Sequence, residues 1–126
     1  MDLVTLKPIG LVRSSRNIAE DDHWDAVVTT IELDSSQFGP EALLALDSFS
    51  HLQVVFLMDR VEVSKIESGA RHPRNNLHWP HPHVTGLDAI EGSPVLDLKP
   101  WVRQFGPRGE VHQPAWMDEL MNEYWE

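Results

Sequence analysis

The order of apolar and polar positions along the chain predicts strands more often than helices. Runs of apolar and β-branched residues, bounded by Pro, Gly, Asp and Ser clusters, are typical of strands. Such runs predict an opening strand with an irregularity at Lys7-Pro8, followed by four more strands, over residues 3–12, 26–33, 53–63, 83–90 and 95–98. Short strands with turn signals between them are typical of a mainly β fold closed as a small barrel.

Two segments have helical signals instead. Pro40 can occupy the first position of a helix over residues 40–46, where good helix formers follow an acidic first turn. Near the end, Trp116, Leu120 and Tyr124 are spaced as one apolar stripe of a helix over residues 114–124. We expect this C-terminal stripe to pack on the sheet, with a partner-binding face as the alternative.

The length and the charge limit what the protein can be. A chain of 126 residues corresponds to one domain, residues 1–126, and the absence of Cys excludes disulfides and thiolate chemistry. No run approaches the roughly 20 apolar residues of a membrane span, and no basic, apolar leader is present. We therefore expect a cytoplasmic protein with no membrane partner. The net charge of −10 argues against a fold-wide electrostatic grip on nucleic acid.

Residues 64–83 carry no strand or helix signal, which within a compact domain indicates function, disorder or misassignment. Four histidines lie at positions 72, 78, 81 and 83, but their spacing matches no metal-ligand signature. We expect polar loop histidines and no metal site. Arg71 and Arg74 in this segment suit phosphate or carboxylate binding, or else form a solvated basic loop.

Residues 20–25 place four carboxylates beside one imidazole and one indole. They could hold a cation, supply a base or form a plain solvated loop. Residues 87–101 are denser still, with acids and a Gly-Ser turn between two apolar runs. On the residues alone, this segment predicts a turn lining a ligand and nothing more specific.

Three segments in order carry a resemblance to a known family: residues 7–14 (KPIGLVRS), 49–56 (FSHLQVVF) and 87–101, which contain GSPVLDLKPW. The chain resembles the TsaA-like (TrmO/YaeB) family over nearly its whole length. The resemblance implies an S-adenosylmethionine-dependent methyltransferase, built as a small β-barrel and usually homodimeric. It also implies that the acceptor is N6 of threonylcarbamoyl-adenosine in tRNA.

The resemblance also implies site residues. The matching positions predict a cofactor site made of Asp59, Arg60, Asp88, Ala89, Ile90, Glu91, Gly92 and Ser93. Asp88 and Glu91 are the candidates for a catalytic base, because the carbamoylated nitrogen needs only a modest one. Arg71 and Arg74 are the candidates for substrate binding.

One departure from the family concerns the barrel wall. The family's Arg-Pro-Asn motif is absent, and the chain jumps at Pro80/His81 to a strand expected later. Either the barrel is incomplete or a segment is missing from this sequence. Two further functions therefore stay open: methylation of a small molecule or another non-tRNA acceptor, and a non-catalytic module that has lost part of the pocket.

Overall fold

A computed structural model describes residues 1–18, 22–59 and 81–126 of the chain. Within these ranges, five strands form one antiparallel sheet: β1 (Gly10–Arg13), β2 (Val28–Leu33), β3 (Leu52–Phe56), β4 (His83–Thr85) and β5 (Pro94–Pro100). The sheet has the order β3-β5-β1-β2-β4 and curls into a half-barrel. The predicted mainly β class is therefore confirmed, and β3 and β4 are its two edges.

Alternating burial along the central strands places the core on one face of the sheet. Ile31 and Leu33 of β2 point to the same side as Val12 of β1, because side chains two apart in a strand share a face. Val95 of β5 and Ala89 complete the buried cluster together with Leu87. The core therefore lies beneath the segment that connects β4 to β5.

The opening strand begins later than predicted. Residues 3–6 form no strand, and Leu3, Val4 and Leu6 are exposed. Among the described strands, none pairs with residues 3–6, so this mostly apolar run is not stabilised by strand pairing. The predicted strand 83–90 likewise ends early, at Thr85.

The helical segments are short, and one is C-terminal, as predicted. The predicted helix 40–46 is replaced by two 3₁₀ turns, Pro40–Leu43 and Leu46–Ser48, separated at Ala45 by a left-handed backbone (φ 62°). The C-terminal helix α1 (Ala115–Leu120) has only six residues. Trp116 and Leu120 are exposed, so the predicted packing of this stripe on the sheet is wrong for both.

Several predictions fall on residues that the structure does not describe. They concern Arg60, Arg71, Arg74, most of the run 64–83 and the Pro80 side of the predicted gap. No helix in the described ranges has the length and apolar character needed to cross a membrane.

Candidate functional site

The segment between β4 and β5 is a turn tied to β1 by main-chain hydrogen bonds. Gly92 has φ 82°, a conformation that glycine adopts without a steric penalty. Its N–H donates to the Val12 carbonyl at 2.8 Å, and the Val12 N–H donates to the Ser93 carbonyl at 2.9 Å. The Ser93 hydroxyl donates to the Ile90 carbonyl at 2.8 Å. The turn 88–93 is thus held as a fixed extension of the sheet.

Glu91 adds a side-chain tie between this turn and β1. One carboxylate oxygen accepts from the Arg13 guanidinium at 3.0 Å, and the other accepts from the Ser14 N–H at 2.6 Å. Arg13 also pairs with Glu32 of β2 at 3.2 Å. Burial alone would lower the pKa of the Arg13 guanidinium. Its hydrogen bonds and charge interactions with Glu32 and Glu91 outweigh this effect and raise the pKa. Both oxygens of Glu91 are therefore engaged within the protein.

Asp88 is held from the C-terminal segment. The Tyr124 hydroxyl donates to one Asp88 carboxylate oxygen at 2.5 Å. Tyr124 itself is fixed by a row of main-chain hydrogen bonds, in which the N–H groups of residues 23, 24 and 25 donate to the carbonyls of residues 123, 124 and 125. Residues 123–125 thus connect the loop after β1 to the turn 88–93 by hydrogen bonds.

Trp24 lies where this loop meets the turn. It is buried with Val27 and Ile90, and Tyr124 packs against the same cluster. The Arg16 guanidinium lies 4.3 Å from the centroid of the indole ring. The indole N–H is buried without a hydrogen-bond partner among the described residues. A buried donor left unpaired is costly, and this one lies in the same cluster as Ile90 of the turn.

The segment after β3, which contains Asp59, passes beside the end of the turn 88–93. The Leu57 N–H donates to the Pro94 carbonyl at 2.9 Å, so the chain leaving β3 runs beside the end of the turn. Asp59 follows two residues later and is exposed. The segments that carry Asp59 and the turn 88–93 are therefore neighbours through Leu57 and Pro94, whereas Arg60 falls outside the described residues.

The residues of the predicted cofactor turn differ in exposure. Ala89, Ile90 and Ser93 are buried in the protein itself. Asp88, Glu91 and Gly92 are only half-buried. A ligand at this surface would therefore meet the carboxylate of Asp88 and the main chain of the turn rather than the buried side chains.

A cavity of about 1020 Å³ opens between the two edge strands. The two 3₁₀ turns form one side of it, and the residues at the start of β3 and along β4 form the other. Described residues of its wall include His51, His81, His83, Gly86 and Trp125, but none from the turn 88–93. The prediction of polar loop histidines is wrong for His81, which is buried, and for His83, which belongs to β4, and no signal in the sequence predicts this cavity.

The histidines of the cavity wall are held by hydrogen bonds through Nδ1. His81 accepts from the Leu33 N–H at 3.3 Å, and Nδ1 of His83 lies 2.9 Å from the Thr30 hydroxyl. Nδ1 of His51 lies 2.7 Å from the Ser50 hydroxyl. Across the described ranges, no three His, Asp or Glu side chains converge as metal ligands.

Comparison with known proteins gives a consistent set of similarities. The chain is 28% identical to a probable S-adenosyl-L-methionine-binding protein of Methanothermobacter thermautotrophicus, over 84% of this chain and 96% of the relative. A protein of the same description from Archaeoglobus fulgidus is 25% identical over 94% of this chain and 39% of its own length. No protein-family model matches the chain.

Solved structures that resemble the chain include crystal structures of TrmO. One crystal structure of TrmO has a TM-score of 0.67 and 22% identity, covering 91% of this chain and 63% of the TrmO chain. TrmO from Pseudomonas aeruginosa also has a TM-score of 0.67, with 21% identity, covering 92% and 62%. The resemblance to the TsaA-like family is thereby confirmed in the fold, and the chain spans less than two thirds of the TrmO chains.

Proposed function

We propose that this protein binds S-adenosylmethionine and transfers its methyl group to an acceptor. The observation that carries the proposal is the hydrogen bond from the Leu57 N–H to the Pro94 carbonyl, which holds the segment leading to Asp59 beside the residue that follows the turn 88–93. The TrmO fold and the two relatives described as probable S-adenosylmethionine-binding proteins support the same conclusion.

The residues present fit such a cofactor. When bound, S-adenosylmethionine supplies a methyl group activated by a sulfonium cation. The carboxylates of Asp59 and Asp88 suit that cation, its ammonium group and the ribose hydroxyls. The indole N–H of Trp24, for which the described residues offer no hydrogen-bond partner, belongs to the cluster that contains Ile90 of the same turn. We assign binding to Asp59, Arg60 and the turn 88–93, in which Ala89, Ile90 and Ser93 act through their main chain.

The two candidate bases have different surroundings. Glu91 binds Arg13 and Ser14 through both of its carboxylate oxygens. Asp88 is bound by Tyr124 through one oxygen only. We therefore propose Asp88 as the base and Glu91 as the residue that positions the turn. Correct placement of the acceptor against the methyl group provides most of the acceleration in either case.

For the acceptor, the resemblance favours N6 of threonylcarbamoyl-adenosine in tRNA, with Arg71 and Arg74 binding its phosphates. A small-molecule acceptor is the second candidate, because the net charge is −10 and the cavity has acidic walls. We further propose that the protein is cytoplasmic and forms a homodimer. Size-exclusion chromatography with light scattering tests the homodimer directly.

Calorimetric titration with S-adenosylmethionine tests the proposed function. We expect saturable binding to the wild-type chain and binding at least about tenfold weaker in Asp88→Asn, because one charge-assisted contact contributes 1.5–3 kcal/mol. Glu110→Gln removes an exposed carboxylate elsewhere and should bind as the wild type does. Absence of binding by the wild type would contradict the proposal, and binding without methyl transfer to any acceptor would indicate a non-catalytic module.

Filter binding of tRNA at two salt concentrations tests the first acceptor. A phosphate-binding surface predicts affinity that falls steeply as salt rises. Failure to bind tRNA at low salt would remove this acceptor without affecting the assignment of the cofactor.

A further inference from the structure

The cavity between β3 and β4 is large enough to bind a small organic molecule. Its volume of about 1020 Å³ lies at the upper end of the roughly 300–1000 Å³ typical of small-molecule sites. Apolar surface comes from both of its sides, through Leu43, Leu46, Phe49 and Trp125. A ring-bearing ligand would therefore find both room and apolar contact there.

Two carboxylates and three histidines, His51, His81 and His83, are the titratable side chains of the described wall. Asp25 and Asp47 line the cavity, whereas no Lys or Arg is found among the described lining residues. Both carboxylates are exposed, and neither takes part in an ion pair within residues 1–18, 22–59 and 81–126. An anionic ligand would be repelled here, and a cation would be attracted. The aromatic faces of Phe49 and Trp125 add to this preference.

The cavity adjoins the turn to which we assign the cofactor. Gly86 lines the cavity, and Asp88 follows it by two residues. From the other side, Trp125 lines the cavity while its neighbour Tyr124 binds Asp88. In both chain segments, a residue of the cavity wall is thus only one or two positions in sequence from Asp88 or from the residue that binds it.

We infer that this cavity binds the methyl acceptor, and that the acceptor is a small, ring-bearing amine in its cationic form. The inference rests on the proposed function and develops its second candidate. In the reaction, the ammonium first loses one proton to the carboxylate of Asp88, the base proposed above, which later passes it to solvent. The nitrogen lone pair then forms a bond to the methyl carbon, while the carbon–sulfur bond breaks and its electron pair stays on sulfur. The products are a methylated ammonium ion and a neutral thioether.

Three indole compounds that differ only in the end group can test the charge preference. Tryptamine carries an ammonium, tryptophol a hydroxyl and indole-3-propionate a carboxylate. By ligand-observed NMR at low salt, we expect tryptamine to bind at least about tenfold more tightly than indole-3-propionate, with tryptophol between them. Equal or reversed affinities would overturn the inference.

A pair of double variants isolates the two carboxylates. Asp25→Asn with Asp47→Asn should reduce the preference for tryptamine to about threefold or less. Asp2→Asn with Glu110→Gln changes the net charge equally but lies outside the cavity wall, so it should keep the wild-type preference. If both double variants behave alike, the preference belongs to the whole protein and the cavity is not its source.

Titration of S-adenosylmethionine with and without tryptamine separates this inference from the proposed function. We expect the affinity for the cofactor to change by less than about twofold, because the two sites are distinct. Direct competition would make the cavity the cofactor site and overturn the inference while leaving cofactor binding intact. Tight tRNA binding unaffected by tryptamine would also overturn it, in favour of a nucleic-acid acceptor.

Discussion

The turn 88–93 and the cavity lie side by side but are built differently. The turn is bound to β1 through Gly92 and Glu91 and to the chain end through Asp88, and half of its side chains are buried. The cavity is walled by two short 3₁₀ turns and a three-residue edge strand. The contrast indicates that the turn supplies fixed geometry, whereas the cavity wall can vary in sequence at little cost to folding.

Truncation of the core beneath the turn should have the largest effect on stability. Ile31→Ala removes a fully buried side chain and should lower the free energy of unfolding by about 2–5 kcal/mol. Leu44→Ala in the cavity wall, where the side chain is 83% exposed, should cost less than about 0.5 kcal/mol. Urea denaturation measures both, and similar costs would remove the contrast between the two regions.

Substitution of Gly92 tests whether the turn conformation matters for binding. Gly92→Ala places a side chain at φ 82° and should cost about 1–2 kcal/mol. Gly109 has φ 81° with open space around it, so Gly109→Ala should cost a similar amount. Only Gly92→Ala should also weaken the binding of S-adenosylmethionine in calorimetry. An equal effect of both variants on binding would mean that the turn does not contact the cofactor.

Removal of the Tyr124 hydroxyl tests the hydrogen bond between the C-terminal segment and Asp88. Tyr124→Phe should lower the free energy of unfolding by about 0.5–1.5 kcal/mol through loss of the bond to Asp88. A double-mutant cycle with Asp88→Asn isolates this pair from other effects of each change. Strictly additive costs would show that the hydroxyl and the carboxylate do not interact.

Asp34 lies in the turn after β2, outside both regions. We expect its carboxyl group to make the stability of the protein depend slightly on pH. Hydrogen bonds from Ser36 and Gln37 lower the pKa of its carboxyl to about 2, below the roughly 3.9 of an unfolded chain. Its contribution to stability is therefore complete above about pH 4 and is lost as the pH falls through about 2. Asp34→Asn should flatten this part of the stability profile, and an unchanged profile would contradict the assignment.

The strands could be predicted from sequence because each has its own local pattern. The local pattern predicts the wrong secondary structure where contacts with distant residues decide it. Residues 3–6 are mostly apolar, as in a strand, but no described strand pairs with them, and the predicted helix over residues 40–46 is interrupted at Ala45. Pairing partners and breaks of this kind are not encoded within one segment.

The site was predictable only in part. The acidic Gly-Ser segment predicts the turn that the structure shows at residues 88–93, and the family resemblance adds Asp59, whereas ligand binding there stays a prediction. The tie from Glu91 to Arg13 spans 78 residues, and that from Tyr124 to Asp88 spans 36, so neither has a local signal. Tyr124 was noted only for its place in an apolar stripe. The cavity joins residues 40–52 to residues 81–86, which no sequence motif connects.

The most direct test of the account is an amide NMR titration of the chain with S-adenosylmethionine. We expect the largest chemical-shift changes at Glu91, Gly92 and Ser93, together with the side-chain indole N–H of Trp24. The amides of Leu43 and Leu46 in the cavity wall should stay nearly unchanged. Shifts concentrated at the cavity wall, with none in the turn, would contradict the assignment of the cofactor to this turn.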